Sequence, residues 1–144
     1  MKQTIILSFL FLIFSTNPCA HGFDEDEIRY KDSTAKKAYI ISPQNGDKVP
    51  QTFKVIFGLD GMQVSPAGIE KANSGHHHLL VDAKELPDMS KPLGKSVMHF
   101  GKGQTETTLT LPPGNHTLQL ILGDYMHVPH KPAVVSEQIM VVVE

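Results

Sequence analysis

The sequence predicts an all-β fold, an antiparallel sandwich of about seven short strands. Three observations carry that prediction. Short runs rich in Val, Ile, Thr, Tyr and Phe show period-two alternation. Gly, Pro, Asn and Asp punctuate the gaps between them. No stretch keeps a helical period for ten residues, so the crossover helices of a right-handed β-α-β fold have no source.

Ala38-Tyr39-Ile40-Ile41 reads as a first strand, and Ser42–Asp47 as a turn built on Pro43 and Asn45-Gly46. Thr52–Phe57 alternates apolar and polar residues at its start and reads as a second strand. Gly58–Ser74 is a long connection, with a short helical turn expected at Gly68–Ala72. Gly75–Asp82 is a strand carrying three adjacent histidines. Ala83–Lys95, with Pro87 and Pro92, is an irregular crossing, and Ser96–Phe100 a short strand. Thr105–Leu111 has Thr107, Leu109 and Leu111 on one side and a wet opposite face. Pro112–Asn115 turns the chain into His116–Leu122, where His116, Leu118, Leu120 and Leu122 point one way. Gly123–Ala133 is a loop holding Pro129 and Pro132, and Val134–Val143 the last strand.

A chain of 144 residues favours one domain. Residues 1–20 read as a secretory signal: Lys2, an apolar run from Ile5 to Phe14, then the small Ala20. That run is too short to span a bilayer, so no transmembrane segment is expected in the mature chain. Cleavage after Ala20 removes Cys19, the only cysteine, and with it any disulfide or thiol chemistry. Residues 21–37, with Asp24-Glu25-Asp26-Glu27, read as an acidic, flexible lead-in, and residues 38–144 as the β domain. The 13 Lys and Arg include Lys2, so the mature charge is 12 minus 15, or −3. That balance speaks against a nucleic-acid partner or an anionic membrane surface. The predicted location is periplasmic or secreted.

Several stretches resemble a known family as they stand. They are Tyr39–Gly46 (YIISPQNG), Phe57–Met62 (FGLDGM), Gly75–Asp82 (GHHHLLVD), Phe100–Thr107 (FGKGQTET), Leu111–Leu120 (LPPGNHTLQL) and Leu122–His130 (LGDYMHVPH). Together, over roughly Tyr39 to Val143, they resemble a bacterial exported family, domain of unknown function 4399. The resemblance implies an exported module with no assigned biochemical role. Family members often carry a histidine where this chain has Tyr125. The Ser-Pro-x-x-Gly opening and the Pro-Gly-x-His-Thr-Leu-x-Leu strand also look like immunoglobulin-like modules of bacterial envelope proteins. That is an analogy of fold and does not extend to function.

The chemistry visible in the sequence is histidine chemistry. In an extended Gly75–Asp82, His76, His78 and Leu80 share one face and His77, Leu79 and Val81 the other. His76 and His78, two residues apart at roughly 6.6 Å of rise, can lean toward one ion. A third ligand has to come from elsewhere: His127 and His130, held by Val128-Pro129, are the first candidates and His99 the next. Imidazole ligands suit copper or zinc better than magnesium or calcium. Asp124 reads as a ligand, as a group orienting a ligating histidine, or as a turn-forming Asp after Gly123. His77 is expected buried and hydrogen-bonded, and His116 is expected to pack and hydrogen-bond near a sheet corner. Cleavage after Ala20 would also leave His21 as an amino-terminal copper chelator, as in copper-dependent polysaccharide oxidases. No Gly-x-Ser-x-Gly nucleophile motif and no phosphate loop is present.

Two functions follow. The first is an exported, non-catalytic module that binds a metal ion through a histidine cluster. The second is a cell-envelope structural or interaction module that binds a protein or glycan, its histidines only stiffening loops.

Overall fold

Phe53, Val55 and Phe57 are buried while Lys54 between them is exposed, which is the signature of a strand with one face on a core. The computed structural model describes residues 35–144, and those residues form strands and turns with no helix. The strands are β1 (Lys37–Ser42), β2 (Lys48–Val49), β3 (Thr52–Asp60), β4 (Gln63–Val64), β5 (Ser74–Val81), β6 (Met98–His99), β7 (Glu106–Thr110), β8 (Gly114–Gly123) and β9 (Ile139–Val143). One sheet has three strands in the order β1-β3-β7. The other has six, in the order β2-β9-β8-β5-β4, with β6 also paired to β5.

The sheets face each other across one apolar core. Ala38, Phe53, Val55, Phe57 and Leu109 from the smaller sheet meet Leu79, Leu118, Leu120, Leu122, Val141 and Val143 from the larger. Each fully buried Leu here contributes about 1.5–3 kcal/mol relative to an exposed one. A second, smaller cluster lies on the outer face of the larger sheet. There Leu80 and Ile121 are covered by Leu93 and Val97, with Met89 and Val135 packed alongside. The connection between β5 and β6 therefore closes over the back of the sandwich.

The structure departs from the sequence expectations in detail. There are nine strands among the described residues, and the additional ones, β2 and β4, have two residues each. Both pair in parallel, β2 with β9 and β4 with β5, in an otherwise antiparallel fold. No helical turn forms at Gly68–Ala72, where Gly68 takes φ +77° and Asn73 beyond it φ +53°. The last strand is interrupted. Ser136 accepts the Leu120 N–H through its hydroxyl at 2.8 Å, while its own N–H donates to the Leu120 carbonyl. A side chain thus takes the place of a backbone acceptor, and regular pairing resumes only at Ile139. Nearly all of the expected lead-in, the signal with Cys19, and His21 lie outside the described residues. No described helix is long and apolar enough to cross a membrane.

Candidate metal centre

β5 lies centrally in the larger sheet, between β8 and the short strands β4 and β6. Its residues Ser74–Leu80 are all buried, because both of its faces are covered. On the inner face His77 packs against Phe57, ring centroids 5.2 Å apart, in line with Leu79. On the outer face His76 and His78 stand side by side at 4.7 Å. Antiparallel pairing sets His99 of β6 opposite His78, and so brings its ring to the same face. His127 arrives from the loop after β8.

That loop is fixed by Asp124. Its carboxylate accepts the Met126 N–H at 2.8 Å and the Val128 N–H at 2.9 Å, and its own N–H donates to the Val128 carbonyl. This tight turn holds His127 at φ +68°, a left-handed conformation that a non-glycine residue seldom adopts without support. The Leu93 N–H donates to the His127 carbonyl and ties the loop to the outer-face cover.

Four imidazoles result in one group. His76 lies 5.0 Å from both His99 and His127, and His99 lies 4.7 Å from His127, centroid to centroid. His78 stacks on His99 at 5.2 Å and stands 5.9 Å from His127. One nitrogen from each of His76, His99 and His127 falls within 4.8 Å of the others. Three donors on a tetrahedral ion, at bond lengths of about 2.0–2.1 Å, stand about 3.3 Å apart. The Nε2 atoms of His99 and His127 are already 3.1 Å apart, one donating to the other. The His76 donor lies within 4.8 Å of both, at most about 1.5 Å beyond the separation a shared ion requires.

The electrostatics suit a ligand set. His76 is fully buried and both its ring nitrogens lack a hydrogen-bond partner, an arrangement that costs roughly 1–3 kcal/mol per orphaned group. Burial first, then the neighbouring His127 and His99, holds its pKa down to about 4, against a small opposing pull from Asp124. His78 is held down to about 3 by burial and by His76, His99 and His127. Burial and His127 also lower His99. His76 and His78 therefore stay neutral, the form in which imidazole binds metal, well below pH 7.

Glycines make the room. A Cβ on Gly101 would collide with the Cε1 and Nε2 atoms of His99. A Cβ on Gly123 would come within 2.7 Å of Cε1 of His78. The sequence reading did not single out these positions, although each lies within two residues of a histidine or in the register opposite one.

A family model matches residues 55–144, more than half of the chain, spanning β5, β6, β8 and all four clustered histidines. The chain belongs to the DUF4399 family, a domain of unknown function. No curated protein matches this DUF4399 chain. Among solved structures it is similar to the endo-β-1,4-mannanase from Thermotoga petrophila, at 16% identity and a TM-score of 0.46. That similarity covers 79% of this chain and 21% of the mannanase, so the DUF4399 chain spans about a fifth of that enzyme.

The other histidines expected at or behind the site have different places in the DUF4399 domain. His130 is not in ring contact with the four; its Nε2 lies against Gly75, buried and without a hydrogen bond. Burial lowers its pKa. Asp124 shapes the loop with its carboxylate and is absent from the donor group. His77 faces the sandwich interior, away from His76 and His78. The Gln104 and Gly58 backbones favour its charged form, yet no bond of normal geometry reaches its ring nitrogens, and burial prevails to lower its pKa. His116 sits at the far end of β8. Its Nδ1 pairs with Asp82 at 2.7 Å and its Nε2 with the Pro112 carbonyl at 2.9 Å; both partners are acceptors, so the protonated ring satisfies both. The Asp82 hydrogen bond raises its pKa despite partial desolvation.

Proposed function

We propose that this DUF4399 domain is an exported, non-catalytic module that holds copper or zinc through His76, His99 and His127, with His78 packed behind them. It acts as a carrier, buffer or sensor of the ion. One observation carries the reading: His76 is buried with two unpartnered nitrogens, one of them within 4.8 Å of donors on His99 and His127. Unpartnered nitrogens alone do not mark a ligand, since His77 has two on the inner face; what sets His76 apart is that donors on His99 and His127 lie beside it. The soft-to-borderline character of imidazole selects copper or zinc over magnesium or calcium.

The test is metal analysis of the protein purified without a histidine tag and dialysed against a weak chelator. One equivalent of copper or zinc per chain, lost in His76→Ala and in His127→Ala, supports the reading. Metal-free protein that takes up neither ion leaves the envelope interaction module in its place.

A further inference from the structure

Resting on the metal reading above, we propose that the ion keeps one coordination position open to solvent and takes a small oxygen- or nitrogen-donor anion there. The three donor rings are graded in exposure: His76 is buried, His127 half-buried and His99 exposed. Protein therefore closes over the ion from one side only. On the other side His99 and His127 line a shallow groove of about 460 Å³, walled by the Pro92–Lys95 segment and Val97. A three-histidine site with its fourth position facing such a groove is the arrangement that retains an exchangeable ligand.

Charge sets the class of that ligand. Imidazole binds a metal in its neutral form, so three such donors leave a divalent ion its full charge in the site. The carboxylate of Asp124, whose field reaches His76, is engaged by the N–H groups of Met126 and Val128. Lys95, exposed along the groove wall, adds a positive charge to its lining. An anion entering the groove displaces the water of the ion, and the described residues lining the groove include no carboxylate to compete with it. His78 does not close the position: its nitrogens fall outside the donor group, and its ring is stacked on His99.

Azide is the probe, because copper(II) reports it optically. The untagged chain is loaded with one equivalent of copper(II) and titrated with sodium azide. The expected result is an azide-to-copper charge-transfer band that saturates at one azide per copper, in the wild type and in His78→Ala alike. Stoichiometric copper whose spectrum ignores a large excess of azide would overturn the open position while leaving the metal site standing. Azide binding that appears only in His78→Ala makes His78 the fourth ligand and overturns it as well. A chain that takes up no copper overturns this proposal, and one that takes up neither copper nor zinc defeats the metal reading as well.

Discussion

Gly101→Ala separates the geometry of the cluster from the stability of the fold. The added Cβ would sit well inside contact distance of Cε1 and Nε2 of the His99 ring, and 3.2 Å from the Ala67 Cβ. Ordinary contact begins near 3.4 Å, so the ring has to move by about 1 Å or more. His99 is exposed, so its ring can swing outward, and giving up its exposed hydrogen bond to His127 costs the fold about 0.5 kcal/mol. A donor displaced by about 1 Å cannot keep a bond of about 2.0–2.1 Å, so the ion loses one of its ligands. Disturbing even the supporting groups of a metal ligand costs about 10–100-fold in affinity. At the upper figure, saturating ion loses about 2.7 kcal/mol of its stabilising effect. Thermal unfolding of wild type and variant, with and without zinc, gives both numbers at once. The expected outcome is near-identical melting without metal and a much smaller zinc-induced rise in the variant. A variant that gains as much from zinc as the wild type refutes the placement of His99 among the ligands.

Metal-free protein is expected to lose stability as pH falls from about 6.5 to 4. His76 has a folded pKa of about 4 against 6.5 unfolded, so the unfolded chain binds more protons across that window. A shift of that size is worth on the order of 3 kcal/mol, and denaturant melts at several pH values will show it. His116 works in the opposite sense: its raised pKa contributes stability below about 6.5 that is lost as pH rises through the folded value. Asp124→Ala frees the Met126 and Val128 N–H groups and releases the turn that holds His127. Ion affinity is expected to fall about 10-fold or more by calorimetric titration. His77→Leu removes two unbonded buried nitrogens from the inner face and is expected to change stability by less than about 1.5 kcal/mol, with metal uptake unchanged.

The sandwich was legible because period-two alternation survives in β3, β7 and β8, where one face is buried and the other wet. The same period placed His76 and His78 on one face. What could not be read was that this face is buried, since its cover comes from the irregular segment holding Met89, Leu93 and Val97. The choice between His127 and His130 was also hidden. It depends on the turn that Asp124 closes and on the positive φ of His127, neither of which has a periodic signal. His99 ranked behind both in the sequence, because its proximity follows from a two-residue strand whose register with β5 only the fold fixes. β2 and β4 were missed for the same reason: two residues carry no alternation.

X-ray absorption at the zinc edge of the loaded, untagged chain examines the ligand set itself. The account predicts a nitrogen shell at about 2.0–2.1 Å with the scattering pattern of three imidazole rings. A shell of oxygen atoms with one imidazole or none would contradict it.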